Sequence, residues 1–120
     1  MIQPMYQVLQ PSRSEYVPVR TQSYHVRMWG TPRPGTPPLV LLHGWMDVSA
    51  SFQFLVDALA HPWYVLAPDW RGFGLSATPQ DGYWFADYVG DLDALVAALA
   101  PGEAVAIAGH SLGANVAMSY

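Results

Sequence analysis

The chain has 120 residues, of which 52% are hydrophobic and 12% are charged, and its formal net charge at pH 7 is −4. An acidic chain with five basic residues lacks the electrostatic footprint of a nucleic-acid-binding protein. No apolar run approaches the roughly 20 residues that span a bilayer, and Met1–Glu15 lacks the features of a signal peptide. We therefore expect a cytoplasmic protein with neither a nucleic-acid nor a membrane partner. The absence of cysteine excludes disulfides and thiolate metal sites.

The first part of the chain is expected to form an irregular arm and then a hairpin. Residues 1–14 are mostly polar and irregular, whereas residues 15–120 are expected to form part of a single domain. Strands are predicted at Glu15–Arg20 and Tyr24–Trp29, joined by a turn at residues 21–23. Because Pro18 cannot donate to a strand ladder, the first strand is expected at a sheet edge.

Strands and helices alternate in the rest of the chain. Three apolar runs predict strands: Leu39–Leu42 and Trp63–Ala67, which are of the buried type, and Ala104–Ala108. Helical spacing is predicted from Phe52 to Leu59, with Ser49 or Ser51 as the cap, and over Tyr83–Ala100. This alternation predicts an α/β fold whose sheet is mainly parallel, with an amino-terminal antiparallel hairpin. The loops that follow these three strands are expected to converge on one rim.

The stretch Gly109-His110-Ser111-Leu112-Gly113 follows an apolar run and precedes a segment compatible with a helix. That order of strand, turn and helix is the context that a nucleophile elbow requires. A sharp turn would strain the backbone at Ser111 and bring strand and helix together, and glycine at 109 and 113 would avoid the resulting collision. The alternative is a glycine-rich loop in which Ser111 only caps the helix.

Two further motifs precede this stretch in a fixed order. They are His43-Gly44-Trp45 and the run Asp69-x-Arg71-Gly72-x-Gly74-x-Ser76. With all three motifs, the chain resembles the amino-terminal half of an α/β-hydrolase-fold protein of the esterase-like and lipase-like branch with a serine nucleophile. The resemblance covers nearly everything from Glu15 onward.

The resemblance implies a role for each motif residue. Ser111 would be the nucleophile, and the backbone N–H groups of Trp45 and Leu112 would form the oxyanion hole. The side chains of Trp45 and Leu112 would be free to line an acyl pocket. Supporting roles in the elbow and its neighbouring loop are implied for five residues: His43, Gly44, Gly109, His110 and Gly113. The side chain of His110 is expected to turn away from the rim.

Other charged and aromatic residues are expected to have structural positions. Hydrogen bonds and a local ion pair are predicted for Asp69 and Arg71. A solvent-facing position is predicted for three aspartates of one helix: Asp87, Asp91 and Asp93. His25 and His61 are expected at surface or core positions. Six aromatic residues are expected mainly in the core: Phe52, Phe54, Trp63, Tyr64, Trp84 and Phe85.

The chain departs from the family pattern after the nucleophile. The triad of this family runs serine, acid, histidine along the chain, but Leu112–Tyr120 contains no carboxylate and no histidine. We therefore expect a truncated form that lacks the triad acid and histidine, with Ala104–Ala108 as an open sheet edge available for self-association.

The expected function is hydrolysis of an ester-like carbonyl in a small-molecule substrate through an acyl-enzyme, without cofactor or metal. Serine at the elbow argues against the dehalogenase and epoxide-hydrolase branches, whose nucleophile is aspartate. Met46 also departs from the His-Gly-x-Pro form common in those branches. One alternative is a non-catalytic receptor or binding module of the same fold, and another is a product without function.

Overall fold

The computed structural model describes residues 5–80 and 82–120, which contain five strands, three α-helices and a 3-10 turn. The strands are β1 (Arg13–Val19), β2 (Gln22–Trp29), β3 (Leu39–Leu42), β4 (Val65–Pro68) and β5 (Ala106–Gly109). The helices are α1 (Gln53–Ala58), α2 (Phe85–Leu99) and α3 (Leu112–Ser119), and the 3-10 turn at Ser49–Phe52 leads directly into α1. None of these helices has the length and hydropathy needed to cross a bilayer.

The five strands form one sheet in the order β1-β2-β4-β3-β5. Strand β3 pairs in parallel with both β4 and β5, whereas β2 pairs antiparallel with β1 and β4. The predicted fold class, an α/β fold with an antiparallel hairpin at its amino-terminal end, is confirmed. The sheet is mixed, because the hairpin adds two antiparallel pairings to the two parallel ones.

The hairpin is tighter than its composition indicates. Val19 pairs with Gln22, so only Arg20 and Thr21 form the turn, and Arg20 has a φ of 55°. Strand β1 also begins at Arg13, inside the segment predicted to be an irregular arm. The predicted edge position of the strand that carries Pro18 is confirmed, since β1 is the outermost strand.

Helices cover both faces of the sheet because the buried strands are apolar on both sides. Val40 and Leu42 of β3 belong to the core cluster that contains Leu92 of α2 and Val116 of α3. Leu41, which points to the opposite face, belongs to a second cluster beneath α1. Burial on both faces explains why β3 is a continuous apolar run without alternation.

Several expectations about the first helix and the aromatic residues are wrong. Neither Ser49 nor Ser51 caps α1: Ser49 lies within the 3-10 turn, and the Ser51 hydroxyl donates to Asp47. Phe54 and Trp84 are 62% and 64% exposed, and Phe85 is also exposed, so these three are not core residues. The other three aromatic residues of that prediction are half-buried against the core: Phe52, Trp63 and Tyr64.

Strand β5 is the other outermost strand of the sheet. Within the described residues it pairs with β3 alone, as expected for an open edge. Ala108 and Gly109, at its carboxyl end, are exposed. The open edge is therefore contiguous with the turn that carries Ser111.

Candidate active site

The loops that follow β3 and β5 meet at one rim of the sheet. A Cβ atom added to Gly44 would lie 3.2 Å from Nδ1 of His110 and 3.3 Å from Cβ of Ser111. The parallel pairing of β3 with β5 produces this approach, because both strands end at the same edge. The motifs His43-Gly44-Trp45 and Gly109-His110-Ser111-Leu112-Gly113 are therefore brought together, as the sequence predicts.

The turn at Ser111 has the strained backbone expected of an elbow. Ser111 has φ 53° and ψ −112°, outside the regions that residues with a side chain prefer. A Cβ at Gly109 would lie 2.5 Å from the carbonyl carbon of Gly113, and a Cβ at Gly113 would overlap the carbonyl group of Leu42. Glycine is required at both positions because strand, turn and helix pack backbone to backbone.

The alternative role of Ser111 as a side-chain cap does not match the structure. Ser111 stands at the N-cap position of α3, but its hydroxyl makes no capping hydrogen bond. Ser111 is exposed at the rim. Its backbone carbonyl accepts the N–H of Asn115, so the residue supports the helix through its main chain only.

Two backbone N–H groups at the rim are available to a ligand. Within residues 5–80 and 82–120, no hydrogen bond engages the amide of Trp45 or the amide of Leu112. The neighbouring amides are engaged: His110 N–H donates to Leu42 at 3.0 Å, and Gly113 N–H donates to His110 at 2.9 Å. The catalytic roles of Ser111, Trp45 and Leu112 stay predictions.

His43 is a buried residue that holds the loop after β3. Its Nδ1–H donates to the carbonyl of Gly44 at 2.7 Å, and its Nε2 accepts the backbone N–H of Trp70 at 2.9 Å. The indole N–H of Trp70 in turn donates to the His43 carbonyl at 2.9 Å. Burial lowers the pKa of His43, which keeps the ring neutral in this arrangement. With both ring nitrogens occupied, His43 is not available as a base for Ser111.

The side chain of His110 does not turn away from the rim as expected. Its Nδ1 lies close beside Gly44, and the residue is exposed. Asp47, which the sequence interpretation missed, is a half-buried carboxylate of the same loop region. The Ser51 hydroxyl holds the pKa of Asp47 below its usual range, assisted by a hydrogen bond from the Val48 N–H. The loop after β3 therefore carries a carboxylate in addition to its exposed amide.

An aromatic cluster fixes the side chain of Trp45. The Trp45 ring packs edge-on against Phe73, with centroids 4.8 Å apart, and against Tyr83, with centroids 5.5 Å apart. Trp45 remains 51% exposed, so the cluster forms an apolar wall beside the rim. The sequence interpretation missed Phe73 and Tyr83. Both stand next to a glycine in a loop, and an aromatic residue in such a loop is the signal that could have identified them.

The loop after β4 is held by two separate side-chain pairs, an aspartate hydrogen-bonded to a histidine and an arginine–aspartate ion pair. Asp69 contacts His25 at 2.7 Å, whereas Arg71 donates two hydrogen bonds to Asp91 at 2.6 and 2.7 Å. The prediction of a local ion pair is corrected, because the partners of Asp69 and Arg71 are distant in sequence. The solvent-facing prediction is wrong for Asp91, which is fully buried; Asp93 is exposed.

The structure also shows where the other aspartate and the two other histidines of the sequence predictions lie. Asp87 is half-buried and pairs with Arg20 at 3.1 Å. His25 occupies a core position, and His61 is exposed. His61 lines a cavity formed by the loops that precede β3 and β4, which lies at the end of the sheet opposite Ser111. No group of three or more histidine or acidic residues in the described parts of the chain is arranged to hold a metal ion.

The carboxylate of Asp69 is a strong acceptor at the start of this loop. Burial alone would raise its pKa, but hydrogen bonds from Ser49, Leu75 and His25 outweigh burial and hold the pKa below its usual range. The backbone N–H of Ser49 donates at 2.6 Å and that of Leu75 at 3.1 Å. A Cβ at Gly74 would overlap this carboxylate, which explains the glycine of the motif.

Comparison with known proteins agrees with this geometry. The sequence model of the alpha/beta hydrolase fold matches residues 37–120. A serine hydrolase-like protein of Danio rerio is 42% identical over 103 residues, which cover 84% of this chain and 31% of the relative. The 2-(acetamidomethylene)succinate hydrolase of Mesorhizobium japonicum is 43% identical over 82 residues, which cover 68% of this chain and 29% of the relative.

A solved structure shows the same architecture. The crystal structure of an epoxide hydrolase from Vigna radiata superposes with a TM-score of 0.77 at 29% sequence identity, covering 88% of this chain and 34% of that one. The chain spans about a third of the length of the curated relatives above. The relatives named above include hydrolases. The sheet order and the strained turn agree with the family match, and the chain therefore belongs to the alpha/beta hydrolase fold family.

Proposed function

We propose that this chain carries the nucleophile and the oxyanion hole of a serine hydrolase that acts on an ester-like carbonyl of a small molecule. The observation that carries the proposal is the backbone of Ser111, held at φ 53° between Gly109 and Gly113. A strained turn at an exposed serine presents the hydroxyl to a substrate, and the helix behind it begins with the amide of Leu112.

In the proposed reaction, the Ser111 hydroxyl oxygen attacks the carbonyl carbon and a base removes the hydroxyl proton. The carbonyl oxygen becomes an oxyanion, which the N–H groups of Leu112 and Trp45 stabilise. Loss of one such donor typically costs about 2.7 to 4 kcal/mol of transition-state stabilisation. The leaving alcohol departs with a proton, an acyl-serine remains, and water then releases the acid.

The aromatic cluster favours a substrate with an apolar acyl group. Trp45 supplies its amide to the oxyanion, while its exposed ring, braced by Phe73 and Tyr83, forms a wall beside the same atoms. Because the amide and the ring belong to one residue, displacement of the ring would also move the amide. We therefore propose that the wall both selects apolar acyl groups and holds the oxyanion donor in place.

The base for Ser111 is the missing part of this site. His43 has both ring nitrogens occupied, and Leu112–Tyr120 contains neither a histidine nor a carboxylate. We propose that full turnover requires an acid and a histidine from outside these 120 residues, and that the 120-residue chain alone hydrolyses esters slowly. Without the base, rate enhancement is limited to the oxyanion hole and binding.

The test compares Ser111→Ala with Ser119→Ala, a matched change on the same helix whose hydroxyl donates to the carbonyl of Asn115. In a longer protein that joins this chain to a segment with the acid and histidine, we expect Ser111→Ala to lower kcat/KM for p-nitrophenyl acetate about 10³-fold or more. Ser119→Ala should have little effect. Equal rates for Ser111→Ala and the unaltered protein would refute the nucleophile assignment.

A receptor function is the second candidate, because Ser111 is exposed without a hydrogen-bonded base in the described residues. The longer protein distinguishes the two functions. Saturable binding of a small ester without its hydrolysis, in a protein with a complete triad, would favour the receptor. Fast labelling of the 120-residue chain at Ser111 by a fluorophosphonate, as in an intact serine hydrolase, would contradict the need for an external base.

A further inference from the structure

A second serine lies in a chain of hydrogen bonds with a histidine and an aspartate, on a different part of the fold. Oδ2 of Asp69 lies 2.7 Å from Nδ1 of His25, and Nε2 of His25 lies 2.7 Å from the hydroxyl oxygen of Ser14. His25 and Asp69 are 0% and 1% exposed, whereas Ser14 is an exposed residue on the edge strand β1. None of these three residues belongs to the elbow at Ser111.

Strand pairing explains how the three residues meet. Tyr16 of β1 is the direct partner of His25 in β2, so Ser14, two residues before Tyr16, lies on the same face and diagonally opposite His25. Asp69 follows β4, which is the other neighbour of β2, and its backbone N–H donates to the His25 carbonyl at 2.9 Å. The arrangement therefore rests on two paired strands and on the first residue after a third strand.

The chemistry of Asp69 determines which nitrogen of His25 carries the proton. Three hydrogen bonds from Ser49, Leu75 and His25 keep the Asp69 carboxylate ionised, and an ionised carboxylate only accepts hydrogen bonds. When the ring carries a single proton, we therefore assign that proton to Nδ1. Nε2 is then an acceptor, and the Ser14 hydroxyl is its donor. A serine that donates to a neutral imidazole oriented by a carboxylate has the arrangement of an activated nucleophile.

We propose that Ser14, His25 and Asp69 form a second nucleophilic site, at which Ser14 accepts an acyl group from an activated carboxylic ester such as an aryl ester. In this step the Ser14 oxygen forms a bond to the carbonyl carbon and its proton passes to Nε2 of His25. The bond from the carbonyl carbon to the aryl oxygen breaks, and the departing phenol takes the proton from His25. The products are an acylated Ser14 and a free phenol.

The surroundings of Ser14 distinguish it from the elbow. Ser14 lies in a regular strand, and the ring of Tyr16, 60% exposed, packs 5.3 Å from the ring of His25 beside it. A general base of this kind contributes typically about 10² to 10⁴-fold to a rate. Because Ser14 lacks the strained turn that presents an oxyanion hole, we expect an acyl-serine that persists and is not rapidly hydrolysed.

The experiment uses the 120-residue chain with Ser111→Ala, so that its outcome does not depend on the proposed function of the elbow. This protein is incubated with p-nitrophenyl acetate, and peptide mass spectrometry locates the acetyl group. We expect Ser14 to be acetylated about 10²-fold faster than Ser23, an exposed serine of the same hairpin that is opposite Pro18. Adding Ser14→Ala should abolish the fast labelling, and adding Ser23→Ala should not.

A second pair of variants tests the base without removing it from the core. Ser14→Cys and Ser23→Cys each present a thiol from the same hairpin, and the rate of alkylation by iodoacetamide reports the thiolate fraction. The thiol at position 14, beside His25, should react at least about tenfold faster than the thiol at position 23. Acetylation of Ser14 no faster than that of Ser23, or equal alkylation of the two thiols, would overturn the proposal and leave the contacts of Ser14 as structural.

Discussion

The buried carboxylate of Asp91 is the point at which a single substitution should disturb the fold most. Asp91 accepts two hydrogen bonds from the Arg71 guanidinium and one from the Tyr24 hydroxyl at 2.5 Å, and its side chain is fully buried. Arg20 also contacts it at 3.3 Å. The substitution Asp91→Ala removes the acceptor that helix α2 offers to β2 and to the loop after β4.

The magnitude follows from what the substitution leaves behind. The side chain of Arg71 is only 8% exposed, and its nearest other carboxylate is that of Asp87, at 3.8 Å. Removing one partner of a buried pair typically costs about 3–5 kcal/mol, because the remaining charge is left without compensation. The Tyr24 hydroxyl also loses its acceptor, although it still accepts the Arg71 backbone N–H at 3.1 Å. We expect Asp91→Ala to lower the free energy of unfolding by about 3–5 kcal/mol.

Urea denaturation followed by tryptophan fluorescence measures this change, since Trp70 is buried in the same loop. The matched control is Asp93→Ala, which removes an exposed carboxylate from the same helix and should change the free energy of unfolding by at most about 0.5 kcal/mol. Asp91→Asn keeps the size of the side chain and should lie between the two. A loss below about 1 kcal/mol for Asp91→Ala would refute the conclusion that this buried pair holds the loop.

Two further predictions concern the elbow and its supporting loop. In Gly113→Ala the new Cβ would lie 2.6 Å from the carbonyl carbon of Leu42, so β3 or α3 must shift at a cost of about 1–3 kcal/mol in thermal or urea unfolding. Gly90→Ala meets only the far end of the long Arg20 side chain, and a loss as large as that of Gly113→Ala would contradict the packing argument. The depressed pKa of His43 means that the unfolded chain binds a proton at this residue below about pH 6.5, while the folded chain does not until a lower pH. The free energy of unfolding should therefore fall with decreasing pH below pH 6.5, by at most about 1.4 kcal/mol per pH unit for this group, and level off below the folded pKa. His43→Gln should reduce that slope, and an unchanged slope would show that His43 is not its source.

Local patterns were sufficient for the main elements of the sheet and for the elbow. The apolar run of β3 has the predicted bounds, Leu39–Leu42, because a strand buried on both faces is apolar at every position, and such a run is visible in the sequence alone. The requirement for glycine at 109 and 113 was also readable, since the spacing of the two residues across one sharp turn implies close backbone contact. Element boundaries were less accurate, and the hairpin turn proved to be two residues instead of three.

Partners distant in sequence could not be read from local spacing. A charged residue on a helix is expected to face solvent, yet Asp91 is buried, where it pairs with Arg71 from a loop 20 residues earlier. Trp84 and Phe85 look like core residues by composition, but both are exposed at the start of α2. In each case burial depends on which surface faces the residue, and that is a property of the assembled fold.

The sequence by itself determined the family, the order of strands and helices, and the identity of the serine at the elbow, because each motif and each element is a pattern of residues within a few positions of one another. Only the tertiary structure decided that His43 has no free nitrogen, that Trp45 is braced by Phe73 and Tyr83, and that Ser14 stands beside His25 and Asp69. Hydrogen bonds and ring contacts act over a few ångströms, and the strand pairing that brings these groups together joins segments separated by 11 to 44 residues.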